Sequence, residues 1–301
     1  MSKPEILGIG LGLGAAFFQS LSYLCSRLFM KRHQDNILAL LALSHIAMGI
    51  VSLAAAVLLR PAAMPALHCY LKALLGASGF YLLGQFFLFA FITRTEPSRI
   101  SPLLGLKVFM LAVIGAAFLG QQFQTAQWLA VLCSTLSVFL LSYAGGRLEW
   151  PFVGMGLLVC LFYCLSDINI KILVDYFGFM GPIRGAAMAT ALCYIFCGLV
   201  GAGVLLFRPS CSTRQTWLYA APFAASWFIA MILLFSSFGL IGVVFGNIMQ
   251  SVRGILSILL AFAVAHLGFE ALEPKASARQ IIQRTLAAIL MSASVALFLF
   301  S

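Results

Sequence analysis

The chain has 301 residues, 63% of them hydrophobic and 9% charged, with a mean hydropathy of +1.08. A soluble domain carries roughly 25% charged residues, so this composition excludes one and implies an integral membrane protein. The net charge of +10 does not point to nucleic acid, because the basic residues sit singly in short loops and at helix ends, where membrane-flanking charges belong.

Ten helical spans are predicted, at approximately 5–30, 36–59, 69–93, 98–119, 125–144, 151–174, 182–207, 216–237, 242–266 and 280–300, each long enough to cross a bilayer. The first span lacks a small-residue cleavage site and is expected to be retained. Its Gly8, Gly10, Gly12 and Gly14 form a small-residue strip suited to helix packing. The string GIGLGLG is not a dinucleotide loop, because no strand precedes it within a βαβ unit. The breaks carry turn residues, among them Lys31 to Asn36, Arg60-Pro61, Thr95-Glu96-Pro97, Gly145-Gly146-Arg147, Gly181-Pro182, Arg208-Pro209 and Glu273-Pro274-Lys275. Connections this short make successive helices antiparallel, and an even number of spans puts both termini on one side.

Lys31, Arg32, Arg94, Arg99, Arg147, Arg208, Arg214, Lys275 and Arg279 follow the odd-numbered spans, against Lys3, Arg60, Lys72 and Arg184 on the other side. Taken literally, the positive-inside rule then places both termini outside the cytoplasm. The eight cysteines (Cys25, Cys69, Cys133, Cys160, Cys164, Cys193, Cys197 and Cys211) form no CxxC pair. They lie mainly in apolar segments and fit small apolar packing better than a metal site; no cofactor or metal is expected.

Two helix-length stretches each hold one central charge: Lys107 in Ser101–Gly120 and Arg253 in Ile241–His266, 146 residues apart. A charge at the centre of a span costs ~2.5–3.5 kcal/mol on insertion scales and usually faces an interior cavity. The spacing belongs to an internal repeat. A shift of 144 lays Gly10, Gly12, Leu21, Ser22 and Arg27 on Gly154, Gly156, Leu165, Ser166 and Lys171; a shift of 146 lays Leu88-Phe89 on Leu234-Phe235 and Lys107 on Arg253. Five spans per copy, residues 1–146 and 147–301, must cross the membrane in opposite directions. This is the inverted-repeat plan of many secondary transporters.

The run Gln19-Ser20-Leu21-Ser22-Tyr23-Leu24-Cys25-Ser26-Arg27 and its counterpart Tyr163-Cys164-Leu165-Ser166-Asp167-Ile168-Asn169-Ile170-Lys171 resemble the helix endings of the drug/metabolite transporter superfamily of EamA-like carriers. The resemblance implies an all-α membrane fold of ten helices in two inverted five-helix repeats, a transporter and not an enzyme, and a cell-membrane location, in the inner membrane of a bacterium. Gln19 and Tyr163 stand where a tryptophan is usual, and Gln121-Gln122 replace the glutamate that closes the fourth helix, which the second copy keeps as Glu270. Lys107 and Arg253 stand where a helix-kinking proline is usual. Pro102 can supply that kink in the first copy, while the second has no proline between Pro222 and Pro274. The family habit of cytoplasmic termini conflicts with the charge count.

Arg27 and Lys171 lie near helix ends, where long basic side chains reach the headgroups. Lys107 and Arg253 are too central for that, and are read either as cavity groups or as partners of Asp167. Asp167 is the one carboxylate well inside a span; it pairs with Lys171 at i,i+4 or carries a coupling proton. Asn247, Gln250 and Arg253 share a helix face, flanked by Gly246 and Gly254. Gln19, Ser22, Tyr23, His45, Tyr81, Gln85, Tyr163, Asn169 and Trp227 are candidates for the same cavity, each also explicable as interhelical glue.

The expected function is alternating-access transport of a small anionic metabolite held by Lys107 and Arg253, with proton or exchange coupling, in a monomer or homodimer. The alternatives are an EamA-type exporter of amino acids, other neutral or cationic metabolites and drugs, or an intramembrane enzyme acting on a lipid phosphate. No HExxH, GxSxG or other catalytic pairing supports the enzyme.

Overall fold

The structure, a computed structural model, describes residues 2–33, 36–92, 97–118, 120–142, 150–209, 212–253, 255–256, 259–260 and 278–299. Among them are α1 (Lys3–Arg32), α2 (Ile37–Leu59), α3 (Leu67–Ile92), α4 (Pro97–Phe118), α5 (Thr125–Ser142), α6 (Trp150–Tyr176), α7 (Pro182–Phe207), α8 (Arg214–Ile241), α9 (Val243–Ser251) and α10 (Ala278–Leu299). A single 3-10 turn, Gly178–Met180, separates α6 from α7. Among the described residues six helices are long and apolar enough to cross a membrane; α4 contributes a shorter apolar stretch, Leu106–Phe118. Arg94, Arg147, Cys211, Gly254, Glu270 and Lys275 lie outside the described residues.

The helix ends follow local chemistry. At α1 the Ser2 backbone N–H donates to Glu5 Oε2 at 2.8 Å, and Lys31 and Arg32 occupy the last turn, where the helix dipole favours cations. Asn36 caps α2 by accepting from the Ala39 N–H at 3.1 Å. Thr213 Oγ1 accepts from the Thr216 N–H at 3.2 Å to open α8. Gly242 alone separates α8 from α9, with φ +79°, a left-handed conformation that only glycine adopts without strain. α8 therefore runs on to Ile241, past the predicted end at 237, because the chain turns at this one residue instead of over a loop.

The ninth span departs from an unbroken helix over 242–266. α9 ends at Ser251, and the ladder tightens to i−3 bonds, Val252 N–H to the Met249 carbonyl at 3.2 Å and Ile255 N–H to the Val252 carbonyl at 3.0 Å. Arg253 thus directly follows an irregularity at Val252, beyond which the Leu256 N–H returns to an i−4 bond with the Val252 carbonyl at 3.1 Å. The Arg253 carbonyl accepts from Ser20 Oγ at 3.1 Å, so α1 satisfies a backbone group in apolar surroundings.

Close packing orients the helices. Gly8 fits against Leu240 and Ile241, Gly12 against Met249 and Ser237, and Gly14 against Leu233, whereas nothing lies within 4 Å of a Cβ placed on Gly10. Further along, Tyr23 meets Trp227 and His33 meets Tyr219, so α1 runs antiparallel to α8. In α3 and α6, Tyr70 meets Phe177, Ser166 Oγ donates to the Ala77 carbonyl at 2.8 Å, and Phe87 meets Phe162, again antiparallel. Gly49 touches Gly198, and Gly201 touches Ala42, bringing α2 and α7 together backbone to backbone. Between α5 and α10, Ser137 Oγ donates to the Ala287 carbonyl at 2.7 Å and Ser294 Oγ to the Ala130 carbonyl at 2.6 Å. Small residues and hydroxyl-to-carbonyl bonds are what membrane helices use in place of hydrophobic collapse.

Candidate functional site

The polar residues of α1, α4, α6 and α9 meet in two bonded groups. In the first, Asp167 on α6 is 5% exposed, and its Oδ2 accepts from Lys107 Nζ of α4 at 2.7 Å and from Asn247 Nδ2 of α9 at 2.8 Å. One carboxylate oxygen therefore ties three helices together. The Lys107 ammonium also lies 5.5 Å from the centre of the Tyr163 ring, which packs against α3 at Gly84. Lys171 bonds instead to Asp175, one turn further along α6. The sequence offered Lys171 two carboxylates at i−4 and i+4. The structure divides them, because Asp167 faces α4 while Asp175 is exposed beside Lys171.

In the second group, Gln19 of α1 is 2% exposed, and its Oε1 accepts from Gln250 Nε2 at 2.9 Å and from Arg253 Nη1 at 2.9 Å. The Arg253 guanidinium also stands 5.3 Å over the Tyr23 ring and donates to Tyr23 OH at 3.4 Å. Among the described residues the ion pairs are Lys107–Asp167 and Lys171–Asp175, so the described partners of Arg253 are neutral.

An aromatic layer adjoins Tyr23. Trp227 lies 6.1 Å from the Tyr23 ring and 6.3 Å from that of Tyr81, and its indole N–H donates to Tyr194 OH at 2.7 Å. His45 Nδ1 lies 2.7 Å from the Leu41 carbonyl and so carries the hydrogen, which leaves Nε2 to accept from Tyr81 OH at 3.1 Å. Gln85 is buried one turn beyond Tyr81. Ser22 bonds to its own helix at Gln19, and Asn169 to the Leu165 carbonyl while packing on Gly76. A small cavity beside this layer is lined by Ser78, Tyr81, Cys193, Tyr194, Met231 and Phe235; neither Lys107 nor Arg253 reaches it.

Sequence reasoning missed Tyr194, Ser20 and Asp175. For Tyr194 a signal existed: a phenol in the middle of the otherwise apolar seventh span needs a partner. The role of Ser20 depends on the irregularity at Val252, which no proline announces.

Buried polar side chains bonded to one another within a bundle of apolar helices define a multi-pass α-helical membrane protein with a polar interior. Residues 6–143 match the model of the EamA-like transporter family, which supports membership of the drug/metabolite transporter superfamily. A solved crystal structure, described only as that of a protein, is similar over 97% of this chain and 96% of its own, with a TM-score of 0.68 and 17% identity, a likeness of fold alone. No curated protein matches the chain by sequence.

Proposed function

We propose that the chain is a secondary carrier that moves a small anionic metabolite by alternating access between two inverted five-helix repeats, residues 1–146 and 147–301. The observation that carries this reading is a symmetry in the site. Position 163 corresponds to 19 and position 167 to 23 at a shift of 144, and 253 corresponds to 107 at a shift of 146. Lys107 of the fourth helix meets Tyr163 and Asp167; Arg253 of the ninth meets Gln19 and Tyr23. The same contact is thus made twice, with different side chains, each time between a helix of one repeat and a helix of the other.

The packing supports the same plan. Exchanging α1–α5 with α6–α10 turns the α1/α8 pair into α6/α3 and the α1/α9 pair into α6/α4, while α2/α7 and α5/α10 map onto themselves, and all of these pairs are in contact. Short connections give α1 and α3 the same direction, and α6 opposes α3, so α6 runs against α1.

Each basic residue is therefore placed to release one set of partners and take another as the repeats rock. A carboxylate or phosphate entering beside Arg253 would accept charge-assisted, bidentate hydrogen bonds in place of Gln19. A proton on Asp167 would cancel its charge and free Lys107 toward the substrate, which is a route to coupling.

The competing reading, export of neutral or cationic metabolites, draws on the same buried carboxylate. Its contact with Lys107 and Asn247 favours the anion reading, because a cation would have to displace Lys107 first.

The test is purified protein in liposomes, assayed for counterflow of labelled anionic, neutral and cationic metabolites and for lipid-phosphate turnover. Anion counterflow that is lost in Arg253→Gln supports the proposal. Counterflow confined to cations refutes it, and phosphate release from lipid would favour the enzyme.

A further inference from the structure

Resting on the anion-carrier reading, the charges of the site set how much negative charge it accepts. Lys107 and Asp167 are both largely shielded, with side-chain exposures of 14% and 7%, and stand 2.7 Å apart, so the lysine is already neutralised. Asn247 holds the same carboxylate oxygen at 2.8 Å, which anchors it between α4 and α9. Arg253, by contrast, is bonded to the neutral Gln19 and Tyr23, and among the described residues no carboxylate comes within salt-bridge distance of it.

Among the described residues the site therefore holds one positive charge in excess. Buried charge is costly unless balanced, so the loaded, closed state is favoured when the substrate brings the matching charge and disfavoured when it brings more. A second negative charge would have to compete with Asp167 for Lys107 and would expel the carboxylate into apolar surroundings.

We propose that Asp167 is the built-in counter-ion of the site and fixes its capacity at a single negative charge, so that the carrier selects monoanions over dianions. This makes Asp167 a specificity-determining residue that acts through Lys107, without touching the substrate. It also reverses the simple expectation from two basic residues, which would favour a doubly charged ligand.

Benzenesulfonate and benzene-1,3-disulfonate test this directly, since they share one ring and stay fully ionised at one and two charges across the usable pH range. Thermal stabilisation of the detergent-purified protein is measured over a concentration series of each, with benzylamine as the cationic control. Wild type should respond to the monosulfonate at a concentration at least tenfold lower than to the disulfonate. Asp167→Asn, with two excess positive charges, should reverse that order. The double variant Lys107→Gln/Asp167→Asn, with one again, should restore it.

Equal response to the two sulfonates in wild type, or an unchanged preference in Asp167→Asn, overturns the proposal. A response to benzylamine alone overturns the anion-carrier reading itself. Should Asp167→Asn fail to fold, Gln19→Glu, which sets a carboxylate against Arg253 and leaves the Lys107–Asp167 pair intact, carries the test from the other side. With no excess charge it should need at least tenfold more benzenesulfonate, and an unchanged response in folded, monodisperse Gln19→Glu likewise overturns the assignment.

Discussion

Removing one member of the Lys107–Asp167 pair should be worse than removing both. Lys107→Gln leaves the Asp167 carboxylate, 5% exposed, with Asn247 as its remaining described partner. Stripping one partner from a buried pair costs about 3–5 kcal/mol, whereas replacing the whole pair is often close to neutral. The two single variants should also differ. In Asp167→Asn the lysine keeps the Tyr163 ring, 5.5 Å away, and a cation over an aromatic face retains about 0.5–2 kcal/mol. Asp167→Asn should therefore be milder than Lys107→Gln by about 1 kcal/mol. The double variant should cost less than either single one, so the coupling energy should be at least the Lys107→Gln loss, about 3 kcal/mol or more, the top of the range for residues in contact. Equilibrium unfolding in mixed micelles, followed by the fluorescence of the four tryptophans, measures all three. Additive single effects, with coupling below about 0.5 kcal/mol, would refute the pair as an energetic unit, and a larger loss in Asp167→Asn than in Lys107→Gln would refute the role of Tyr163.

Three further outcomes follow from the same contacts. If Asp167 carries a proton during transport, Asp167→Asn should abolish gradient-driven uptake while leaving counterflow measurable in proteoliposomes; equal loss of both would make its role structural. Gly49→Leu should disrupt the α2/α7 contact, because a Cβ there lies 3.0 Å from Gly198 Cα and 3.1 Å from the Tyr194 carbonyl oxygen, neither of which can rotate away. Overpacking of about 1–3 kcal/mol should appear as a loss of folded yield, while Gly10→Ala, with open space around it, should be silent by the same size-exclusion assay. Trp227→Phe keeps the ring but deletes the 2.7 Å bond to Tyr194, and should cost about 1–3 kcal/mol in unfolding, because a buried phenol oxygen loses its donor.

The parts of the fold legible in the sequence were those written in composition and spacing. Apolar runs of membrane length set the helices, and turn residues set most of their ends. The glycine strip of the first span was legible as packing, but not which of its members make it: Gly8 and Gly14 meet α8, Gly12 meets both α8 and α9, and Gly10 points to open space. Which glycines of such a strip are used depends on the neighbouring helices. The turn at Gly242 was hidden because a lone glycine between two apolar helices looks like helix interior until its φ of +79° is seen.

The site was legible as a set of residues, with Lys107 and Lys171 both open as partners of Asp167, and spacing alone could not choose between them. Sequence spacing exposes i,i+4 partners on one helix, and on that basis Asp167 pairs with Lys171. Contacts between helices depend on rotation about the helix axis, which spacing does not encode, and here Asp167 faces Lys107, 60 residues away in the chain, while Lys171 turns to Asp175. The repeat register held the missing information in another form. It pairs Lys107 with Arg253, and position 167 with Tyr23, so a contact in one half implies its image in the other. The images are chemically unequal, an ion pair on one side and a cation over a phenol on the other. Among the described residues, that inequality leaves the site with one positive charge in excess. Had both copies kept a carboxylate, each base would be neutralised and an anion would gain little by entering; had neither, two bare cations would strain the empty state.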